Sequence, residues 1–153
     1  MLKLIWVIPL LPLLGVAING LLGPRMSRRA VGLVACGTVA LAFLLAAGAV
    51  VELSGLPAEA RHFETEIGTW LPLGPVGPSA EGLRIAWGFA LDPLSSVLLL
   101  VVTGVGFLIH VYATGYMAHE EGYSRFFTYM NLFMGMMLTL VLANNFVLMF
   151  VGW

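Results

Sequence analysis

With 153 residues, 60% of them hydrophobic, only 10% charged and a mean hydropathy of +0.99, this chain cannot clothe a water-soluble domain. Soluble domains carry about 25% charged residues, so seven basic and eight acidic side chains leave apolar surface that has to face lipid. The formal net charge of −1, without a block of like charge, gives no footing for nucleic acid. The single cysteine, Cys36, can form no intrachain disulfide and reads as a small packed residue.

The first charge-free run is Leu4 to Gly23. Lys3 before it raises the question of a secretory signal. The run is longer than a typical h-region, however, and Val16-Ala17-Ile18-Asn19-Gly20 offers no A-x-A cleavage pattern, so a retained first helix is expected. Pro9 and Pro12 predict a kink rather than a stop, because neighbouring groups in a membrane bundle can satisfy the freed carbonyls. A short turn, Gly23-Pro24-Arg25-Met26-Ser27-Arg28-Arg29, carries three arginines and no acid. The second run, Ala30 to Val51, has 22 residues and no charge.

Residues 52–91 form the longest connection, with Glu52, Glu59, Glu64, Glu66 and Glu81 against Arg61 and Arg84. Within it, the turn cluster Gly74-Pro75-Val76-Gly77-Pro78 separates Thr69-Trp70-Leu71 from Leu83-Arg84-Ile85-Ala86-Trp87. Two β-favouring runs around Gly and Pro predict a small β-hairpin at the membrane surface. Asp92-Pro93-Leu94-Ser95 opens the third helix, which runs to about Ala118 and is interrupted only by His110. Asp92 suits the N-cap and Pro93 the first helical position. The carboxylate also meets the positive end of the helix dipole. Helix capping accounts for Asp92, with an ion-pair or proton role as the alternative. The fourth run, Phe126 to Ala143, has 18 residues. At about 1.5 Å per residue each run crosses a hydrocarbon core of about 30 Å, the fourth only just.

The fold expected is therefore an all-α integral membrane bundle of about four spanning helices and the start of a fifth, with a small external hairpin. The three-arginine turn decides orientation, since basic residues in short loops stay in the cytoplasm. This places the N-terminus and residues 52–91 outside. Phe146 to Trp153 follows the turn-like Asn144-Asn145 and supplies only about 12 Å of helix, which leads us to expect the N-terminal part of a longer protein.

Chemistry is sparse. His119-Glu120-Glu121 has metal-compatible side chains, but they are adjacent and lack a second cluster, so no metal site is expected. His62 with Glu64 and Glu66 reads as a solvated face. No Gly-rich phosphate loop, nucleophile elbow or Cys/His cluster occurs, so no catalytic or cofactor-binding residue is assigned. The intramembrane polar residues say more. Thr103 and Thr114 lie seven residues before and four after His110, which puts them within about 40° of its bearing on one helix face. Polar groups in lipid face the bundle, where they bond across helices or line a polar pathway. Histidine changes charge near neutral pH, which suits a proton path. His110, Thr103 and Thr114 are the candidates for one, with interhelical hydrogen bonding as the plainer role for His110 and for Asn131.

One group of segments is familiar in combination: Phe89-Ala90-Leu91-Asp92-Pro93-Leu94-Ser95, then Val102-Thr103-Gly104-Val105-Gly106-Phe107-Leu108-Ile109-His110, and Gly115-Tyr116-Met117. Glu121-Gly122-Tyr123-Ser124-Arg125-Phe126-Phe127, Asn131-Leu132-Phe133 and Leu148-Met149-Phe150-Val151-Gly152-Trp153 complete it. Together they resemble the start of the L-subunit (chain 5) family of respiratory complex I, the NADH–quinone oxidoreductase, to which the large Mrp-type antiporter subunit is related. The resemblance implies the N-terminal part of an antiporter-like, proton-translocating bundle, with residues 1–88 as N-terminal helices and external loop and 89–153 as the start of the translocating domain. It implies a multi-pass place in a bacterial-type inner membrane, beside other membrane-arm subunits. It implies no redox cofactor in this chain; NADH, FMN, iron–sulfur clusters and quinone would belong to partner subunits. In the family a glutamate follows the Gly-Trp pair, here Gly152-Trp153, and an acid often stands where this chain has Asn144. A multi-subunit cation/proton antiporter, or a small standalone membrane scaffold, are the alternatives.

Overall fold

The computed structural model describes residues 1–72 and 84–153. Four long helices run antiparallel: α1 (Val7–Leu21), α2 (Arg28–Ser54), α3 (Pro93–Tyr116) and α4 (Tyr123–Leu142), followed by a short α5 (Phe146–Gly152). All four long helices, α1 together with the 3₁₀ turn Leu2–Leu4 before it, are long and apolar enough to cross a membrane. Their ends follow local chemistry. Ser27 caps α2 by accepting from the Ala30 N–H at 3.2 Å, and Asn145 caps α5 by accepting from the Leu148 N–H at 2.9 Å. Pro9 and Pro12 are both buried within the continuous helix α1. Beside them Leu13 rests on Gly135 of α4.

Helix α1 packs against α2 and α4, α2 against α3, and α3 against α4. Small residues set these distances. Ala42, Ala46 and Ala49 are fully buried along one side of α2, Gly104 faces the Phe43 ring, and Gly106 receives the Met134 side chain. Leu33, Leu44, Val51, Leu94, Leu108 and Phe150 stay largely exposed, as a lipid-facing surface requires.

The hairpin pairs β1 (Phe63–Pro72) with β2 (Arg84–Leu91) antiparallel, from Phe63↔Leu91 to Pro72↔Arg84. It is longer at its base than the predicted Thr69–Leu71 and Leu83–Trp87 runs. Two register shifts, between Glu66 and Gly68 and between Thr69 and Leu71, let it bend. Trp70 packs edge-on against Trp87 at 5.3 Å. The predicted turn at 74–78 lies outside the described residues. The hairpin base is fastened to the α4–α5 junction: the Asn144 N–H donates to the Gly88 carbonyl at 3.2 Å, and Asn145 Nδ2 donates to the Ala86 carbonyl at 2.8 Å.

Two apolar clusters fill the bundle. At the hairpin end, Ile5, Ile8, Ala42, Ala46, Leu99, Leu138, Leu142 and Leu148 pack with Phe89 and Leu91 of β2. At the arginine end, Val31, Ala35, Ala113, Tyr123 and Phe127 form the second. On α2, α3 and α4 alike, the residues between the two clusters include a buried polar one: Thr38, His110 and Asn131.

Candidate functional site: a buried polar layer

Asn131 is the ninth residue of α4, His110 the eighteenth of α3 and Thr38 the eleventh of α2. His110 and Asn131 are 0% exposed. A lone amide or imidazole in such a place would cost about 2 kcal/mol or more without partners. Here the partners are supplied across helices. His110 Nε2 lies 2.9 Å from Asn131 Oδ1, and Asn131 Nδ2 donates to Thr38 Oγ1 at 3.2 Å. The Thr38 hydroxyl in turn donates to the Ala35 carbonyl at 3.0 Å. At the other side of the ring, His110 Nδ1 donates to the Gly106 carbonyl, one turn back on α3, at 2.8 Å.

A fourth helix makes room for this chain of bonds. Gly15 of α1 faces the Asn131 amide so closely that a Cβ there would collide with Nδ2 and stand 2.8 Å from Thr38 Oγ1. Phe127 flanks the imidazole, with ring centroids 6.3 Å apart, so the layer is apolar on its arginine side.

The other proton-path candidates lie differently. Thr103 is fully buried on α3, but its hydroxyl donates to the Leu99 carbonyl of its own helix at 2.6 Å. Thr114 donates to the Val111 carbonyl at 2.7 Å, and its methyl group faces Gly32 of α2. Neither bonds to His110. Thr38 and Gly15 were not singled out in the sequence. A threonine in a charge-free run carries no mark of its role, and a glycine among leucines shows only that something comes close. A second polar node, Asn19 of α1, donates from Nδ2 to the Val31 carbonyl at 3.3 Å, while its backbone carbonyl accepts from Ser124 Oγ at 3.1 Å.

Asp92 sits at the hairpin end, where β2 meets α3. Its Oδ1 accepts from the Ser95 N–H at 2.6 Å and from the Ser95 hydroxyl, and the Asp92 N–H donates to Ser95 Oγ at 3.1 Å. This is a reciprocal capping box. The Ser95 hydroxyl, and then the Ser95 N–H, hold the Asp92 carboxyl below the usual carboxylate range. Among the described residues, no three His, Cys, Asp or Glu side chains converge to hold a metal.

Four spans, lipid-facing apolar sides and a buried polar layer define a multi-pass helical membrane protein with its hydrogen-bonding groups gathered inside. Within that class, residues 78–127 match the family model for the N-terminus of chain 5 of NADH-ubiquinone oxidoreductase (complex I). The NADH-quinone oxidoreductase subunit L of Mycobacterium tuberculosis (strain CDC 1551 / Oshkosh) is 38% identical over 148 residues, which is 97% of this chain and 22% of that protein. The subunit L of Escherichia coli K12 is 41% identical over 144 residues, 94% of this chain and 22% of that protein. The NADH-ubiquinone oxidoreductase chain 5 of Podospora anserina is 34% identical over 146 residues, 94% of this chain and 21% of that protein. The chain belongs to this subunit L and chain 5 family and corresponds to its N-terminal region. It spans about a fifth of the length of the curated relatives it matches.

Proposed function

We propose that this chain supplies the N-terminal helices of a proton-translocating membrane-arm subunit of NADH–quinone oxidoreductase, with His110 contributing to proton movement. The observation that carries the reading is the imidazole buried inside the bundle and bonded on both sides, in a chain related over nearly its whole length to subunits bearing that name. Proton passage through a membrane needs a protein group that can take up and release a proton away from lipid. His110 is the group placed to do so here. Thr103 and Thr114 take a lesser part in this reading, since their hydroxyls serve their own helix.

Within the described spans the carboxylate is Glu52, near the hairpin end of α2, and the lysine is Lys3, at the outer end of the first span. For this reason the activity is assigned to the complex and not to these residues alone. NADH, FMN, iron–sulfur clusters and quinone are assigned to partner subunits, and the membrane to a bacterial-type inner membrane. The division at 88/89 is then one of function, since α1 and α2 pack directly on α3 and α4.

The test is His110→Gln and His110→Ala in the assembled complex, with NADH–quinone electron transfer and proton pumping measured in sealed vesicles. Assembly and electron transfer are expected to persist in His110→Gln, with fewer protons moved per electron. An unchanged proton yield in both variants would remove His110 from the path.

A further inference from the structure

We infer that Asn131 and Thr38 are positioning residues of a two-state hydrogen-bond chain, which lets His110 change its protonation without leaving any of the three side chains unpartnered. Its physiological meaning rests on the proton-path reading of His110; its physical content does not.

The inference comes from counting donors and acceptors. His110 Nδ1 faces a backbone carbonyl, that of Gly106, at 2.8 Å, so Nδ1 carries a hydrogen in either state. The other ring nitrogen faces the Asn131 amide at 2.9 Å. When the ring is cationic, Nε2–H donates to Asn131 Oδ1, Asn131 Nδ2 donates to Thr38 Oγ1, and Thr38 donates to the Ala35 carbonyl. Every member then passes a hydrogen in one direction, from α3 through α4 to α2.

When the ring is neutral, Nε2 is a bare acceptor and needs a donor. The Asn131 amide provides one by turning about its last bond, which exchanges Oδ1 and Nδ2 without moving the backbone. Asn131 Oδ1 then faces Thr38, whose hydroxyl rotates from the Ala35 carbonyl to donate to it. That carbonyl loses only a secondary bond, because it is already within the hydrogen-bonded ladder of α2. The direction of the chain reverses and each side chain keeps its partners.

The asparagine amide presents an acceptor and a donor on the two ends of one rotatable group, and the threonine hydroxyl can answer either face. The neighbours of this pair are consistent with such a turn. Gly15 of α1 faces the amide without placing a side chain against it. The titratable and charged side chains on the helices packed around His110 are Arg28, Arg29, Cys36 and Glu52 on α2 and Tyr123, Arg125 and Tyr129 on α4, with none on α1. Among the described residues, none of them hydrogen-bonds to the ring, whose only side-chain partner is Asn131.

The experiment is solid-state nitrogen NMR of protein labelled at histidine and asparagine in its native membrane complex, across about pH 5 to 9, with the His110 and Asn131 signals identified by their loss in His110→Gln and Asn131→Leu. In the native protein His110 is expected to interconvert between neutral and cationic rings, with the Asn131 amide signals changing in step. Asn131→Leu removes the acceptor for the cation, and the ratio of cationic to neutral ring at one pH should fall about tenfold or more. Thr38→Val should shift it the same way by less, because an orphaned amide N–H is tolerated worse than an under-used carbonyl. Thr38→Ser should restore it. A His110 ring of one protonation state throughout, or the same ratio in Asn131→Leu as in the native protein, would overturn the two-state chain. If the ratio moves as described while proton yield per electron stays at the native value in every variant, the two-state chain stands and the proton-path reading falls.

Discussion

Replacing Gly15 with alanine should unseat the polar layer without substituting any of its members. The added Cβ would collide with Asn131 Nδ2 and lie 2.8 Å from Thr38 Oγ1 and 3.1 Å from Asn131 Cγ. Asn131 has nowhere easy to go, since its amide is bonded to His110 on one side and Thr38 on the other. Displacing it breaks two interhelical bonds, each worth about 0.6–1.7 kcal/mol in membrane bundles. Overpacking adds about 1–3 kcal/mol, and the better helix propensity of alanine offsets about 1 kcal/mol. The net expectation is a loss of roughly 1–5 kcal/mol. Gly37→Ala is the control, because a Cβ there meets nothing within 4 Å; it should be neutral or slightly stabilising. Unfolding by sodium dodecyl sulfate in mild detergent, with both variants measured side by side, gives the difference. A Gly15→Ala protein as stable as Gly37→Ala would show that α1 does not cover the layer as described.

Three further outcomes follow from the ends of the helices. Because the Asp92 carboxyl is held below its ordinary range, its contribution is fully present above about pH 3.9, its unfolded value, and is lost as pH falls through the lower folded value. Thermal unfolding from neutral to acid pH should therefore show a loss that Asp92→Asn does not share, and parallel curves would refute it. Asn145→Asp should keep the α5 cap but lose the donor to Ala86, while Asn145→Ala should lose both, about 1 kcal/mol more. Faster amide exchange of β2 in both variants would report release of the hairpin, and native protection in both would refute the fastening. In a Cys36→Ser background, Ser27→Cys should resist an impermeant thiol reagent added from outside, whereas Glu59→Cys should react; the reverse pattern would invert the topology.

Composition and periodicity by themselves determined the membrane class, the four spans to within a few residues, the Asp92–Pro93 start of α3 and the existence of the hairpin. These are local matters: charge-free length, a cap and its first turn, and β-favouring runs around Gly and Pro. The sequence also marked His110 and Asn131, because a polar side chain in a long apolar run has few places to go. Their pairing with each other and with Thr38 was decided only by tertiary structure. The partners are 21 and 93 residues apart, and no periodicity within one helix reports which face another helix presents. The same reason explains Thr103 and Thr114, which share a side of α3 with His110 yet bond to their own backbone. A threonine hydroxyl can always reach the carbonyl three or four residues earlier, so a common face does not make a common network. His110 has one ring nitrogen satisfied in that local way and one left over. That second nitrogen is met only because α1, at Gly15, leaves space for an amide from α4 beside a hydroxyl from α2.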